Sequence, residues 1–525
     1  MKKLSWLVSF GVTFALAASA LGGPQIGVFP RVSDAGSKGY VDQYETWLGR
    51  PVDYIVQFPP SNTWAHITGS NGGGLAWWVG VWRSAPQSYR DRMVISLAML
   101  PGDGTGTHAA GATGAYDVYW KAVAQRLVDE GYGNCMIRPG WEFTGTWYPW
   151  KVVAGQETNF KNHWIHLVDS MRSIPGANFK FCWNPTAGWL PFDAMNCYPE
   201  VAGKSYVDFI GIDIYDISSQ YNVVGYPGGL QAWDLQNRRS NAWMYQTVWT
   251  PNAMNYWAGK AAEKHVPLCI PEWGLDTPLT DPSLIGNGGR DNPYFIQKMS
   301  EWINMPANNV AWASYFEWGY GTDSRNHSIF FANQYPLAKA LFPTLFGYKL
   351  NDDFSDGNST GWTPNLAAQW LIAADAGDNA YKWDYNWTNT SGLSTVGDPA
   401  WTNYEVSTEF KITETNAWSN IYLYARYVDA NNYYRLAYED QGAGVKKWYL
   451  QKRVAGTSTT LGVMVNATIN LNTWYDLALD VNGSTLTAYL DGVQILQRTD
   501  TAFTAGKIGL GGYKEDVLFD NVIVK

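Results

Sequence analysis

The chain is poor in charge, in histidine and in cysteine: 16% of its 525 residues are Asp, Glu, Lys or Arg, and only six His and four Cys are present. The 37 Lys and Arg are outnumbered by 46 Asp and Glu, a net charge of −9. Such a chain lacks the basic face that phosphate contact requires, which excludes nucleic acid as the expected partner. Beyond the N-terminal segment no stretch gives the roughly 18 continuous apolar residues of a membrane helix, so no membrane is expected either. No glycine loop of the Walker or dinucleotide type precedes a suitable helix. Only His163 and His166 are closely spaced, inside a predicted helix with no third ligand nearby, which argues against catalytic zinc. There is no solenoid repeat and no long disordered linker.

What is present begins with Lys2 and Lys3, an apolar stretch from Leu4 to Ala17, and Ala18-Ser19-Ala20. This is the pattern of a cleaved secretory leader over residues 1–20, and the mature chain is expected to start near Leu21. Its removal takes two lysines and no acids, so the charge becomes 35 − 46 = −11. No Cys follows to accept a lipid, and the expected destination is extracellular or periplasmic. The four Cys, at 135, 182, 197 and 269, would then sit where disulfides persist. Three full pairings are open, with Cys182–Cys197 the first to test; buried free thiols are the other reading.

Eight apolar, β-branched and aromatic runs recur along residues 21–348: Ile26 to Phe29, Tyr54 to Phe58, Met93 to Met99, Asn134 to Arg138, Phe179 to Trp183, Val207 to Ile214, Pro267 to Pro271 and Val310 to Phe316. They lack strict alternation, as strands covered on both faces do. Segments such as Ala115 to Glu130, Thr158 to Arg172, Asn252 to Lys264 and Asn292 to Ile303 place apolar residues at helical spacing between them. Eight strand–helix units predict a closed (β/α)8 barrel. From 349 to 525 the texture turns to short alternating runs between Asn, Thr, Ser and Gly, which predicts an all-β sandwich of the jelly-roll kind. Its first strand starts near Asp352-Asp353-Phe354 and its last ends at Phe519-Asp520-Asn521-Val522-Ile523-Val524, and terminal strands of such a fold lie side by side.

Two glutamates stand just past predicted strands, Glu142 after the fourth and Glu272 after the seventh, at the barrel face that carries chemistry. Cleaving a glycosidic bond needs one carboxyl to protonate the leaving oxygen and a second to act on the sugar carbon. Trp141 and Phe143 flank Glu142 and supply the apolar surroundings that keep an acid protonated near neutral pH. Glu317, in Tyr315-Phe316-Glu317-Trp318, competes for the nucleophile's role, and Asp213 and Asp216 are further carboxylates at strand ends.

The run Arg138-Pro139-Gly140-Trp141-Glu142-Phe143-Thr144-Gly145-Thr146-Trp147-Tyr148-Pro149-Trp150 resembles the acid/base segment of glycoside hydrolase family 26, in the clan of (β/α)8 retaining enzymes. The resemblance extends over residues 24 to 345, through Trp183-Asn184-Pro185 and Tyr206 to Asp216. It implies Glu142 as acid/base, Glu272 as nucleophile, and Tyr215 as the tyrosine that holds the nucleophile ionised. Arg138 and Asn184 become polar contacts to substrate or to the glutamates, and Trp318 an aromatic platform that ranks Glu317 lower. Characterised mannanases of the family usually carry His where this chain has Trp141, a departure that bears on substrate identity. The second domain resembles laminin-G or concanavalin-like modules, which makes Asp353 and Asp520 candidate ligands of a structural calcium; two acids in surface turns are the equal alternative.

The 29 Trp and 33 Tyr complete the reading, because flat rings stack on the apolar faces of sugars. Trp77, Trp78, Trp147, Tyr148, Trp150, Trp183, Trp273 and Trp318 fall near loop ends on the catalytic face and would line a cleft, with Trp141 a further substrate contact, although ordinary barrel-to-helix packing claims a share of them. The expectation is a secreted, monomeric, retaining endo-β-glycanase with no catalytic cofactor, its partner a polysaccharide: β-mannan first, xylan or β-glucan next. The alternative is a carbohydrate-binding protein with an inactive barrel.

Overall fold

The computed structural model describes residues 24–31, 37–218, 232–278, 288–319, 325–331, 334–386 and 390–525. The predicted leader lies outside them. The described chain divides into two compact units, Pro24–Tyr348 and Lys349–Lys525.

In the first unit eight parallel strands close a barrel. They are β1 (Gln25–Phe29), β2 (Tyr54–Gln57), β3 (Met93–Leu97), β4 (Met136–Pro139), β5 (Lys180–Trp183), β6 (Phe209–Tyr215), β7 (Leu268–Gly274) and β8 (Val310–Phe316). Each coincides with a predicted run to within a few residues at its ends. β8 returns to β1 in register, Gln25 opposite Trp312 and Phe29 opposite Phe316, so the sheet has no free edge. The expected helices also form: α1 (Asp117–Asp129), α2 (Glu157–Arg172), α3 (Met254–Glu263) and α4 (Pro293–Ile303). α4 starts on Pro293, with the Asn292 side chain accepting from Phe295 N at its N-cap.

Period-2 alternation divides the strand side chains between two layers. Phe29, Val56, Val94, Met136, Cys182, Cys269, Ala311 and Trp312 fill the barrel interior. Their neighbours, among them Ile137, Trp183, Ile210 and Trp273, pack outward in the larger core shared with the helices. β7 breaks the alternation once: two steps on β6, from Gly211 to Asp213, face three on β7, from Cys269 to Glu272, and β8 shows the same offset between Ala313 and Tyr315. This bulge is what lets Cys269 and Glu272 share the interior face, since unbroken alternation would turn Glu272 outward.

The second unit is a curled antiparallel sheet of fourteen strands among the described residues. β9 (Leu350–Asp352) opens it; β10 (Tyr404–Asp429), β11 (Asn432–Asp440), β12 (Tyr475–Asn482) and β13 (Lys507–Val524) carry its frame. β10 pairs with β12 through its first part, with β11 through its last, and with β13 along most of its length, across several register shifts. Those shifts bend the two long strands, and the sheet curls around a core that includes Phe410, Leu423, Leu436, Trp448 and Phe519. The terminal strands do lie side by side, Leu350 opposite Val524 and Asp352 opposite Val522.

Candidate active site

Arg138 is the hub of the barrel mouth. It is fully buried on β4, and all its polar atoms are committed. Nη1 donates to Glu272 Oε1 at 2.6 Å and to Ser96 Oγ at 3.3 Å, Nη2 donates to Asp213, and Nε donates to Asn184 Oδ1. Burial alone would disfavour its charge, but Asp213 and Glu272 outweigh that and hold the guanidinium's pKa above its usual range. Strands β3, β4, β6 and β7 and the residue just past β5 thus meet at one planar cation.

Glu272 is buried, and both its carboxylate oxygens are taken, Oε1 by Arg138 and Oε2 by the Tyr215 hydroxyl at 2.7 Å. Two charge-assisted bonds fix its rotamer. Tyr215 is wedged against His327 and Phe316, at ring distances of 4.4 and 5.8 Å.

Glu142 lies opposite in role. Its backbone occupies the left-handed region at φ 52°, a strained conformation for a residue with a side chain. The strain is held by the Glu142 N–H donating to Asn184 O at 2.8 Å and by Gly145 N–H donating back to Glu142 O at 2.9 Å. Its carboxyl is partly buried, and the only hydrogen bond it makes among the described residues is from Trp147 Nε1 to Oε2, 2.9 Å. Burial and the charge of Glu272 push it up to about 7, against the smaller opposing pull of Arg138 and Trp147. One carboxyl is therefore kept as an acid near neutral pH while the other is fixed in place by a guanidinium and a hydroxyl, an arrangement that acid/base plus nucleophile chemistry can use.

Asn184 accepts from Arg138, and its Nδ2 donates to Pro185 O and Gly211 O, so it positions the hub and, through its carbonyl, Glu142. Asp216 accepts from Asn292 Nδ2 at 2.7 Å and ties the β6 end to the N-cap of α4. Glu317 is fully buried and clasped by Ser328 Oγ, Ile329 N and Phe330 N, so it braces the loop after β8.

The tryptophans separate cleanly. Trp147, Trp77 and Trp318 expose their rings, 60%, 45% and 40% respectively. Trp78, Trp183 and Trp273, expected at the cleft, are buried instead: Trp78 against Tyr132, Trp183 against Phe143, Tyr198 and Trp257, and Trp273 against Tyr315, Phe342 and Phe346. Trp141 and Trp150 are also buried; Trp150 stacks on Tyr148, Trp141 meets Tyr148 edge to face, and Trp150 Nε1 donates to Trp141 O at 2.8 Å, which rigidifies the segment around Glu142. For Trp183 and Trp273 the reason is alternation: each stands beside an inward residue, Asn184 or Glu272, and so points outward.

Of the two readings of the cysteines, the structure has buried free thiols, at all four positions, and not the Cys182–Cys197 pair. Cys182 does not face Cys197; its Sγ lies 3.4 Å from Cys269 Sγ inside the barrel. They meet across β6 because Gly211 between them has no side chain, and a Cβ there would come within 2.7 Å of Cys182 Sγ. Cys197, in the 3-10 turn Ala194–Cys197, belongs to the outer packing layer. His163 pairs with His108, Nδ1 to Nδ1 at 3.1 Å, and His108 Nε2 bonds Trp150 O at 2.8 Å. Burial lowers both rings, His108 to about 4, so the pair is neutral and braces the loop after β4. Among the described residues no group of three or more His, Cys, Asp or Glu is placed to hold a metal ion, and no helix there is long and apolar enough to cross a membrane.

Residues 119–228 match the family described as Glycosyl hydrolase family 26, and residues 347–525 match the 3-keto-alpha-glucoside-1,2-lyase-like domain. Endoglucanase H of Acetivibrio thermocellus is 25% identical over 230 residues, 41% of this chain and 23% of that protein, so the match spans under a quarter of the relative's length. Among solved structures, the carbohydrate binding module CBM66 from Bacillus subtilis is similar at 20% identity over 32% of this chain and 97% of its own, with a TM-score of 0.27. A Cellulomonas fimi endo-beta-1,4-mannanase double mutant aligns over 91% of this chain and 93% of its own at 14% identity, with a TM-score of 0.41. The barrel is thus family 26-like over the matched residues, which supports a carbohydrate-acting enzyme of the glycoside hydrolase type.

Proposed function

We propose that the chain is a retaining endo-β-glycanase working by double displacement. Glu272 attacks the anomeric carbon while Glu142 protonates the departing oxygen; Glu142 then takes a proton from the water that releases the sugar from Glu272. The observation that carries this reading is the asymmetry of the two carboxyls, Glu142 pushed up to about 7 and Glu272 held by Arg138 and Tyr215. The exposed rings of Trp77, Trp147 and Trp318 suit the faces of sugar units in an open cleft. β-Mannan is the first substrate to assay, then xylan and β-glucans, the last also favoured by the name of the endoglucanase relative. The test is reducing-sugar release from that panel with oligosaccharide analysis; binding to a polysaccharide without any product would favour a non-catalytic barrel instead.

The same proposal assigns export to the leader over residues 1–20, which the N-terminal sequence of the mature protein would check. It also keeps Asp353 and Asp520 as ligands of a structural calcium. Asp353 stands in an exposed turn, its Oδ1 accepting from Ser355 N and Oγ, and burial followed by the charges of Asp378, Glu409 and Asp353 pushes Asp520 up to about 6. Since two carboxylates alone are too few, backbone carbonyls would complete the set. A thermal midpoint that rises with calcium and falls with chelator supports it; one indifferent to both overturns it.

A further inference from the structure

The most exposed large apolar side chain of the described barrel is Trp189, at 80%, and no function so far given to the molecule uses it. It lies in the loop after β5. Two more exposed rings, Tyr245 and Trp249, close a five-residue π-helical turn (Tyr245–Trp249) beyond β6 and contact each other edge to face, centroids 5.3 Å apart. π-Helical turns concentrate at functional positions because they reposition side chains that a regular helix would bury.

Hydrogen bonds tie these rings into the rim that carries the two glutamates. Gly188, beside Trp189, exchanges two bonds with Asn252, three residues past Trp249: Gly188 N to Asn252 O, 3.0 Å, and Asn252 Nδ2 to Gly188 O, 3.2 Å. From Gly188 the loop runs back to Thr186, whose hydroxyl meets that of Thr144 at 2.7 Å, and to Asn184, whose carbonyl holds Glu142 N. On the other side Gln246 Nε2 donates to the carbonyls of Tyr215, 2.6 Å, and Ile217, 3.2 Å, and the Tyr215 hydroxyl holds Glu272. The aromatic group is therefore reached from each catalytic carboxyl by a short bonded path, and the two paths join at Gly188–Asn252.

We infer that Trp189, Tyr245 and Trp249 form an outlying sugar-binding platform, continuous with the catalytic cleft, that takes an uncharged stretch of the polysaccharide beyond the units at the glutamates. This rests on the glycanase reading above. The segments Thr186 to Phe192 and Tyr245 to Trp257 contain no Asp, Glu, Lys or Arg, so the platform offers ring faces, amides and hydroxyls but no charge to an acidic sugar. Exposed rings of this kind gain most from stacking on flat apolar sugar faces.

The experiment compares the full-length chain with the W189A/W249A variant on a long neutral polysaccharide and on a short oligosaccharide of the same linkage. The platform predicts a ratio of kcat/KM, polymer over oligosaccharide, about ten-fold below that of the unmodified chain, carried mainly by KM. W189F/W249F, which keeps a ring at each position, restores most of it. A ratio equal to that of the unmodified chain overturns the platform while leaving the glycanase reading intact. A change in oligomeric state by light scattering, with the ratio preserved, likewise overturns it and assigns the patch to a second copy of the chain. If the unmodified chain neither cleaves nor binds any polysaccharide, the glycanase reading fails and the platform falls with it.

Discussion

At the end of β4 stands Glu142 and just past β8 stands Glu317, and burial pushes both carboxyls up to about 7. Their partners differ. Glu317 accepts bonds from Ser328, Ile329 and Phe330. Glu142 accepts one, from an exposed tryptophan, and feels the charge of Glu272 across the cleft. A raised pKa alone marks burial; an uncommitted oxygen beside a second, fixed carboxylate marks a site that can hand a proton to something that enters. Glu272, for its part, has both oxygens committed, one to Arg138 and one to Tyr215.

The sharpest way to break this comparison is to remove each acid in turn. Glu272→Ala and Glu142→Ala should each lower kcat on a polysaccharide by about a thousand-fold or more, whereas Glu317→Gln should lose about 1–3 kcal/mol of stability by mismatching the donors around it while keeping its turnover per folded molecule. Equal losses of turnover at 142 and 317 would erase the distinction. Arg138→Met should cost about 3–5 kcal/mol in urea unfolding, because Asp213 and Glu272 stay buried without their counter-charge. Tyr215→Phe removes one bond to a charged oxygen, about 1.5–3 kcal/mol, and should slow kcat by roughly ten- to a hundred-fold.

The smallest effect concerns pH. Glu142 must carry its proton to act as acid, so kcat/KM should fall as pH rises through about 7. Glu272→Gln removes one of the two causes of the upward shift but leaves burial, so in that variant the Glu142 carboxyl, followed by carbon-13 NMR, should titrate below 7 and still above the ordinary 4.5. An unmoved titration would mean that the two acids do not sense each other.

The strands were legible because each is an unbroken apolar run between helical segments, and the ends of the fourth and seventh runs located both glutamates. The hub was only half legible. Arg138 and Asn184 drew notice through the family resemblance, yet nothing along the chain told that one guanidinium would collect Ser96, Asn184, Asp213 and Glu272 from four other segments. The bulge in β7 was invisible as well, since Cys269 and Glu272 share a face only through an extra residue. Trp183 and Trp273 misled because adjacency in sequence to a site residue places a strand side chain on the opposite face. Cys182 met Cys269 because a glycine on the intervening strand left room, a contact no spacing rule encodes. Trp189, Tyr245 and Trp249 carried a signal that went unused: two uncharged, aromatic segments following consecutive barrel strands.

The most direct measurement is proton NMR of the anomeric configuration of the first product released, recorded before mutarotation. Attack by Glu272 followed by water predicts that the new reducing end has the same configuration as the bond that was cut. The opposite configuration would contradict the account, because Glu272 would then be activating water rather than bonding to the sugar.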